Sequence, residues 1–269
     1  MLIDAHSHLD RYCLTNKDLL GSALEEIIEH KIFTISNSMD LPSHKQNLAI
    51  AEKCNLVLPI FGVHPWTAPQ YAHHLEDLRD STVKTPMIGE IGLDHYFVED
   101  KSQYPDQKIV FEYFLAAAVE QSKTIIIHTK GAEEEILDLL VRYDIPPAII
   151  HWYSGPLDIF RDFKARGDYF TIGVEVLYSE HIQAILKEIP LTQLLTETDN
   201  PGGPKAFIGE LGMPILIKKI VMKIAELKNT TFETITQTVQ TNLLRLNQDA
   251  PGIVGAYYQA MEEYNADPL

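Results

Sequence analysis

Eight short apolar runs, separated by stretches with helical spacing, constrain this chain more than any other feature. They span residues 2–4, 33–37, 56–63, 87–93, 124–128, 148–151, 169–174 and 194–198. Most are continuous rather than alternating, as expected of strands buried on both faces in a parallel sheet. Between them, Leu20, Leu24, Ile27 and Ile28 recur at helical spacing. So do Phe111, Phe114, Leu115, Ala118 and Val119, and Ile136, Leu139, Leu140 and Tyr143. Eight β/α units in about 250 residues predict an α/β chain folded as a (β/α)8 TIM barrel. A doubly wound sheet is the rival, but it has no need of eight like units, and no GxGxxG follows the first run.

After the eighth run comes a Pro201-Gly202-Gly203-Pro204 loop, then a helical stripe of Ile217, Ile220, Val221, Ile224 and Leu227. Thr230 and Glu233 have capping-box spacing for a helix that carries Ile235, Val239 and Leu243. Residues 255–264 read as a terminal helix. No linker or low-complexity tract interrupts the chain, so one domain over residues 1–269 is expected.

Each candidate polar residue that suits metal chemistry falls at or near the end of one of these apolar runs. His6 and His8 close the first run; residues two apart on a strand share a face, so both imidazoles converge, with Asp4 on the same side. His64 follows the third, Glu90 lies in the fourth, His128 ends the fifth, His151 the sixth, and Asp199 follows the eighth. A histidine or carboxylate set directly after apolar β-branched residues is costly to desolvate unless paired or metal-bound, and several strands repeat that placement here. Barrel enzymes carry their sites at this rim. Four histidines and two carboxylates match the needs of two adjacent divalent ions, with Glu90 able to bridge them.

Other positions keep two readings. His64 serves either a substrate phosphate or the structure beside Pro65. Lys130 is a phosphate contact or a surface lysine. Glu197 shares a strand face with Asp199 and orients a ligand or a water, or supports a ligand histidine. Asp94 is read as such a support, and Asp4 and Asp10 as structural. Trp152-Tyr153 either stacks a base at the rim or packs in the core. His30, His44, His73, His74 and His181 fall in predicted helices or loops and are expected to be solvated.

The formal charge is −16, from 22 Lys+Arg against 38 Asp+Glu, with no Lys/Arg-rich block. That balance disfavours tight non-specific nucleic-acid binding, which rests on phosphate neutralisation. It is compatible with action on a strand end if bound metal brings the positive charge. Cys13 and Cys54, without a CxxC, read as reduced thiols. No run approaches the roughly 18 apolar residues of a membrane span, and no hydrophobic leader precedes the first strand. A cytoplasmic location without a membrane partner is expected.

Five ordered motifs, Asp4-Ala5-His6-Ser7-His8-Leu9-Asp10, Gly62-Val63-His64-Pro65, Gly89-Glu90-Ile91-Gly92-Leu93-Asp94, His151-Trp152-Tyr153-Ser154-Gly155 and Glu197-Thr198-Asp199-Asn200-Pro201, together resemble the TatD family. These are metal-dependent deoxyribonucleases of the amidohydrolase superfamily. The resemblance implies a (β/α)8 barrel with one or two divalent ions (Mg, Mn or Zn). It carries the ligand roles onto His6, His8, Glu90, His128, His151 and Asp199. It also implies DNA as substrate, single-stranded or at 3′ ends, cleaved by a metal-activated water with Asp199 as general base and Glu90 between the ions. His64, Lys130 and Glu197 are then the expected substrate contacts. The chain departs from the family pattern at Lys130, where arginine is usual, at His95 before Tyr96, and in the loop after Asp199, which lacks the common arginine-asparagine-proline pattern. An amidohydrolase acting on a small ester, lactone or amide is the alternative function.

Overall fold

In the computed structural model, which describes residues 1–14 and 17–265, every apolar run overlaps a strand. Among the described residues these are β1 (Leu2–Ser7), β2 (Ile32–Ser36), β3 (Val57–Pro59), β4 (Ile88–Asp94), β5 (Ile125–Lys130), β6 (Ile149–His151), β7 (Tyr169–Ile172) and β8 (Leu194–Thr196). The helices are α1 (Lys17–Glu29), α2 (Leu41–Ala51), α3 (Arg79–Lys84), α4 (Tyr104–Gln121), α5 (Glu133–Arg142), α6 (Leu157–Arg166), α7 (Glu180–Glu188), α8 (Lys205–Ile208), α9 (Leu216–Leu227), α10 (Phe232–Leu246) and α11 (Pro251–Asn265).

Consecutive strands pair in parallel as β1-β2-β3 and as β4-β5-β6-β7-β8. Two seams close these ladders into a (β/α)8 barrel. At the first, Phe61 bridges Ile88 and the Gly89 amide donates to the Phe61 carbonyl at 2.9 Å. At the second, Thr196 Oγ1 donates to the Ile3 carbonyl at 2.7 Å, and the Asp199 amide to the His6 carbonyl at 3.0 Å. Asp4 reinforces that seam, accepting from the Thr198 amide at 2.9 Å and its hydroxyl at 2.6 Å. Burial pushes the Asp4 carboxyl up to about 7, against the Thr198 hydrogen bonds.

The continuous apolar pattern has the expected cause. Ile126, Ile127, Ile149 and Ile150 are all buried, covered on both faces of the barrel wall. Each such side chain contributes about 1.5–3 kcal/mol of transfer free energy. No described helix is long and apolar enough to cross a membrane.

Local boundaries differ from expectation for physical reasons. β3 ends at Pro59, opposite Ser36, the last residue of β2. β8 stops at Thr196, because the Thr198 amide is taken by Asp4 rather than by a neighbouring strand. Ile28 and Val119 are exposed, lying at the flank of their helical stripes. The cap of α10 is Thr231, whose side chain accepts from the Thr234 amide, one residue later than the Thr230/Glu233 spacing suggests. His44, expected to be solvated, is buried in α2 against Phe61, with ring centroids 4.9 Å apart.

Candidate metal centre

β1, β4, β5, β6 and the turn after β8 deliver six side chains to one mouth of the barrel. Glu90 stands at the centre. Its Oε1 lies 2.9 Å from His128 Nδ1 and 3.7 Å from His151 Nε2, and its Oε2 lies 3.4 Å from His6 Nε2 and 3.2 Å from His8 Nε2. Asp199 Oδ1 is 3.5 Å from His6 Nε2 and 3.4 Å from His8 Nε2. The register shift in β4 between Ile88 and Ile91 spans Glu90, re-aiming its side chain. Asp199 and Trp152 both have positive φ, 52° and 38°. Aspartate tolerates that region; a bulky tryptophan rarely enters it, and such conformations gather at functional sites. Gly203 is tied to the same turn, for an added Cβ would meet Asp199 Oδ2 at 2.2 Å and Trp152 Cζ3 at 2.7 Å.

The partners behind the histidines decide which nitrogen each presents. His8 Nδ1 faces the Asn37 carbonyl at 3.2 Å, so its proton sits there and Nε2 offers a lone pair to the cluster. His151 Nδ1 is 2.6 Å from Glu197 Oε2, which likewise leaves Nε2 free. His128 is turned over: Nε2 meets Asp94 Oδ2 at 3.0 Å, so Nδ1 faces Glu90. Carboxylates placed behind ligating imidazoles in this way fix the tautomer and raise basicity. His64 differs. Its Nδ1 accepts from the Trp66 amide at 3.1 Å, so the neutral ring carries its proton on Nε2. That Nε2–H points at the cluster, 3.3 Å from His128 Nδ1 and 3.6 Å from Glu90 Oε1.

Burial alone would raise the Glu90 carboxyl, but the imidazoles of His64, His6 and His151 hold it well below the carboxylate range. Burial is likewise outweighed at Asp199, which His6, His151 and His8 keep low. Glu197 has no such surplus of cations, and burial pushes it up to about 8. Two carboxylates and four imidazoles therefore converge in a buried cluster, with no lysine or arginine among the described residues that form it. Three overlapping groups, His6/His8/Glu90, His6/His151/Asp199 and His64/Glu90/His128, each bring their donor atoms within 4.8 Å of one another. Clustered buried acceptors of this kind need cations to offset their desolvation. The residues fit divalent ions held by imidazole and carboxylate, which suit Zn, Mn and related metals, the carboxylates also Mg.

The cluster forms the floor of a cleft of about 850 Å³. Lys130 lines it, but its Nζ donates to the Trp152 carbonyl at 2.6 Å and to Ser154 Oγ at 2.8 Å, and burial lowers its pKa. Trp152 is at the cleft, whereas Tyr153 is core, its hydroxyl bonded to the Pro156 carbonyl. Asp94 also accepts from Trp66 Nε1 at 2.7 Å. Arg11, Trp66, Phe97, Glu175 and Phe207 line the cleft too. Sequence reasoning passed over them, although Arg11 and Trp66 stand within three residues of His8 and His64, which was the available signal.

The family model for TatD-related DNases matches residues 3–248. The chain is 31% identical over 263 residues to YabD of Bacillus subtilis (strain 168), named as an uncharacterized metal-dependent hydrolase, covering 91% of this chain and 98% of that one. MJ1582 of Methanocaldococcus jannaschii, of the same description, is 26% identical over 245 residues, covering 89% and 94%. Among solved structures, the TatD homologue YjjV of Escherichia coli K12 superposes with a TM-score of 0.77 at 23% identity, over 91% of this chain and 97% of that one, a likeness of fold.

Proposed function

Because the chain belongs to the TatD-related DNase family and is a metal-dependent hydrolase, we propose that the bond it cleaves is a phosphodiester, at the ends of DNA strands. The reading takes residues 1–269 as one hydrolase domain. His6, His8, Glu90, His128, His151 and Asp199 are the residues that would hold the divalent ions, with Glu90 at the centre of the set. The observation that carries it is the convergence of both Glu90 oxygens on imidazoles from β1, β5 and β6. When bound, divalent ions supply Lewis acidity to a phosphoryl oxygen and to an attacking water.

The chain's own residues do the rest. Asp199, held low by His6, His151 and His8, is ionised and placed at the cluster edge to take a proton from the attacking water. His64 presents Nε2–H to a phosphoryl oxygen. Glu197 and Asp94 hold the His151 and His128 rings in the tautomer that leaves a lone pair inward. Lys130 gives two of its three N–H donors to the Trp152 carbonyl and Ser154 Oγ, fixing that carbonyl beside the cleft.

The test is hydrolysis of end-labelled single-stranded DNA and of bis(p-nitrophenyl) phosphate, with Mn, Zn or Mg and with chelator. Metal-dependent release of mononucleotides is expected. Turnover of lactones, esters or amides without phosphodiester cleavage would overturn it. That rival draws on the net charge of −16 and on a cleft of about 850 Å³, within the range of small-molecule sites.

A further inference from the structure

Arg11 is the basic residue at the cleft that the chemistry above leaves unused. It sits in the 3₁₀ turn Leu9–Leu14 directly after β1. The turn is pinned on every side: the Arg11 amide donates to the His8 carbonyl at 3.1 Å, the Leu9 amide to Ser36 Oγ at 3.3 Å, and the Asp10 amide to Asn47 Oδ1 at 3.0 Å. With the backbone fixed, the side chain lies along the cleft wall, its Nη2 on the Met39 sulfur. No carboxylate is within ion-pair distance of it among the described residues. Its neighbour Asp10 is buried, raised by that burial and only partly lowered by the charges of His8 and Arg11. A guanidinium has five N–H donors in a planar fork suited to phosphate, and a thioether uses one weakly.

The topology sets Arg11 against Lys130. Strands β1 and β5 lie on opposite sides of an eight-stranded barrel, so the two cations flank the metal centre. Among the described cleft-lining residues they are the basic ones. Lys130 has two of its three donors committed to Trp152 and Ser154, and its side of the mouth also carries Glu133 and Glu175. A polyanion is repelled there and attracted to the β1 side. Between Asp199 and Arg11 the loop after β8 offers Gly202 and Gly203, which have no side chains. A Cβ at Gly202 would lie 3.8 Å from Arg11 Nη1, and one at Gly203 would strike Asp199. The two glycines bring the loop backbone close against both Asp199 and Arg11, so the guanidinium and the metal centre share one wall of the cleft.

We propose that Arg11 is a specificity residue that grips the phosphate adjoining the one at the metal centre, so that the preferred substrate is an oligonucleotide end bearing at least two phosphates. This rests on the phosphodiesterase reading above. The loop after Asp199 lines the cleft without a cation, and Arg11 supplies the charge from the other end of the chain.

The test compares the dinucleotide TpT, with one phosphate, against pTpT and TpTp, which add a terminal phosphate on one side or the other. Arg11→Ala is expected to cost about tenfold more kcat/KM on one two-phosphate substrate than on TpT, mainly through KM, with Arg11→Lys recovering part of it. Equilibrium binding of the same dinucleotides to metal-free protein gives a readout apart from turnover. There, Arg11→Ala should weaken the preferred ligand and reduce its log–log salt slope by about 0.7. Equal losses on all three dinucleotides, or an unchanged salt slope, would overturn the role of Arg11. If the wild type cleaves none of them, the phosphodiesterase reading fails, and the binding comparison still decides whether Arg11 holds the second phosphate.

Discussion

Glu90 illustrates how much one side chain depends on its neighbours. In isolation a fully buried carboxylate would protonate; the imidazoles of His64, His6, His151 and His128 hold it ionised, with both oxygens engaged. Glu90→Gln removes the charge and turns one oxygen into a donor. Activity is expected to fall by at least about 100-fold, and elemental analysis should show reduced metal content. Asp94→Asn probes the layer behind. An amide there can donate to His128 Nε2 and drive the ring proton onto Nδ1, the atom facing Glu90. A loss of about 10–100-fold in metal affinity or kcat is expected; full activity in this variant would show that the His128 tautomer is immaterial. Gly203→Ala places a methyl against Asp199 Oδ2 and Trp152. It should lower kcat while the far-UV circular dichroism stays that of the wild type.

At the scale of elements, α2 carries the histidine that departed from expectation. His44 packs against Phe61 and burial lowers its pKa below 6.5. The folded state therefore binds fewer protons than the unfolded one. The resulting stability is present above pH 6.5 and is lost as pH falls through the lowered folded value. His64 and His151, also depressed by burial, act in the same direction in metal-free protein. Denaturant titrations of that protein between about pH 7 and pH 5 should show a smaller loss for His44→Phe than for wild type. Parallel profiles would mean that His44 titrates as though solvated. β4 shows a different constraint at this scale: Gly92 has φ of 149°, and a Cβ there would meet the His128 carbonyl at 2.1 Å. The Gly-Glu-Ile-Gly pattern is thus fixed by strand contact as much as by chemistry.

Over the whole molecule, the β8–β1 seam joins residues nearly two hundred positions apart through Asp4 and Thr198. Asp4→Ala would strand a buried amide and a buried hydroxyl, costing about 3 kcal/mol. A clearly lowered melting temperature is expected; no change would mean that the seam is held without Asp4. Metal should act on the same global equilibrium, since the ligands proposed for it come from β1, β4, β5, β6 and the β8 turn. Saturating Mn or Zn is expected to raise the melting temperature by about 5 °C or more, and chelator to reverse it. A scan insensitive to both would count against the cluster as a metal centre.

The barrel was legible in the sequence because strands buried on both faces leave continuous apolar runs, and eight such runs admit few architectures. The six clustered side chains were legible as well, because a charged or imidazole group directly after Ile125-Ile126-Ile127 or Ile149-Ile150 has few other reasons to be there. What sequence spacing could not reach were relations between distant strands. Which nitrogen of His128 faces inward depends on Asp94, 34 positions away. The donor role of His64 depends on the geometry of the Trp66 amide, and the burial of His44 on Phe61. Arg11 reads in the sequence as one arginine in a turn. Only closure of the barrel sets it beside Gly202 and opposite Lys130, because that proximity is made by the β8–β1 seam and not by the chain's local periodicity.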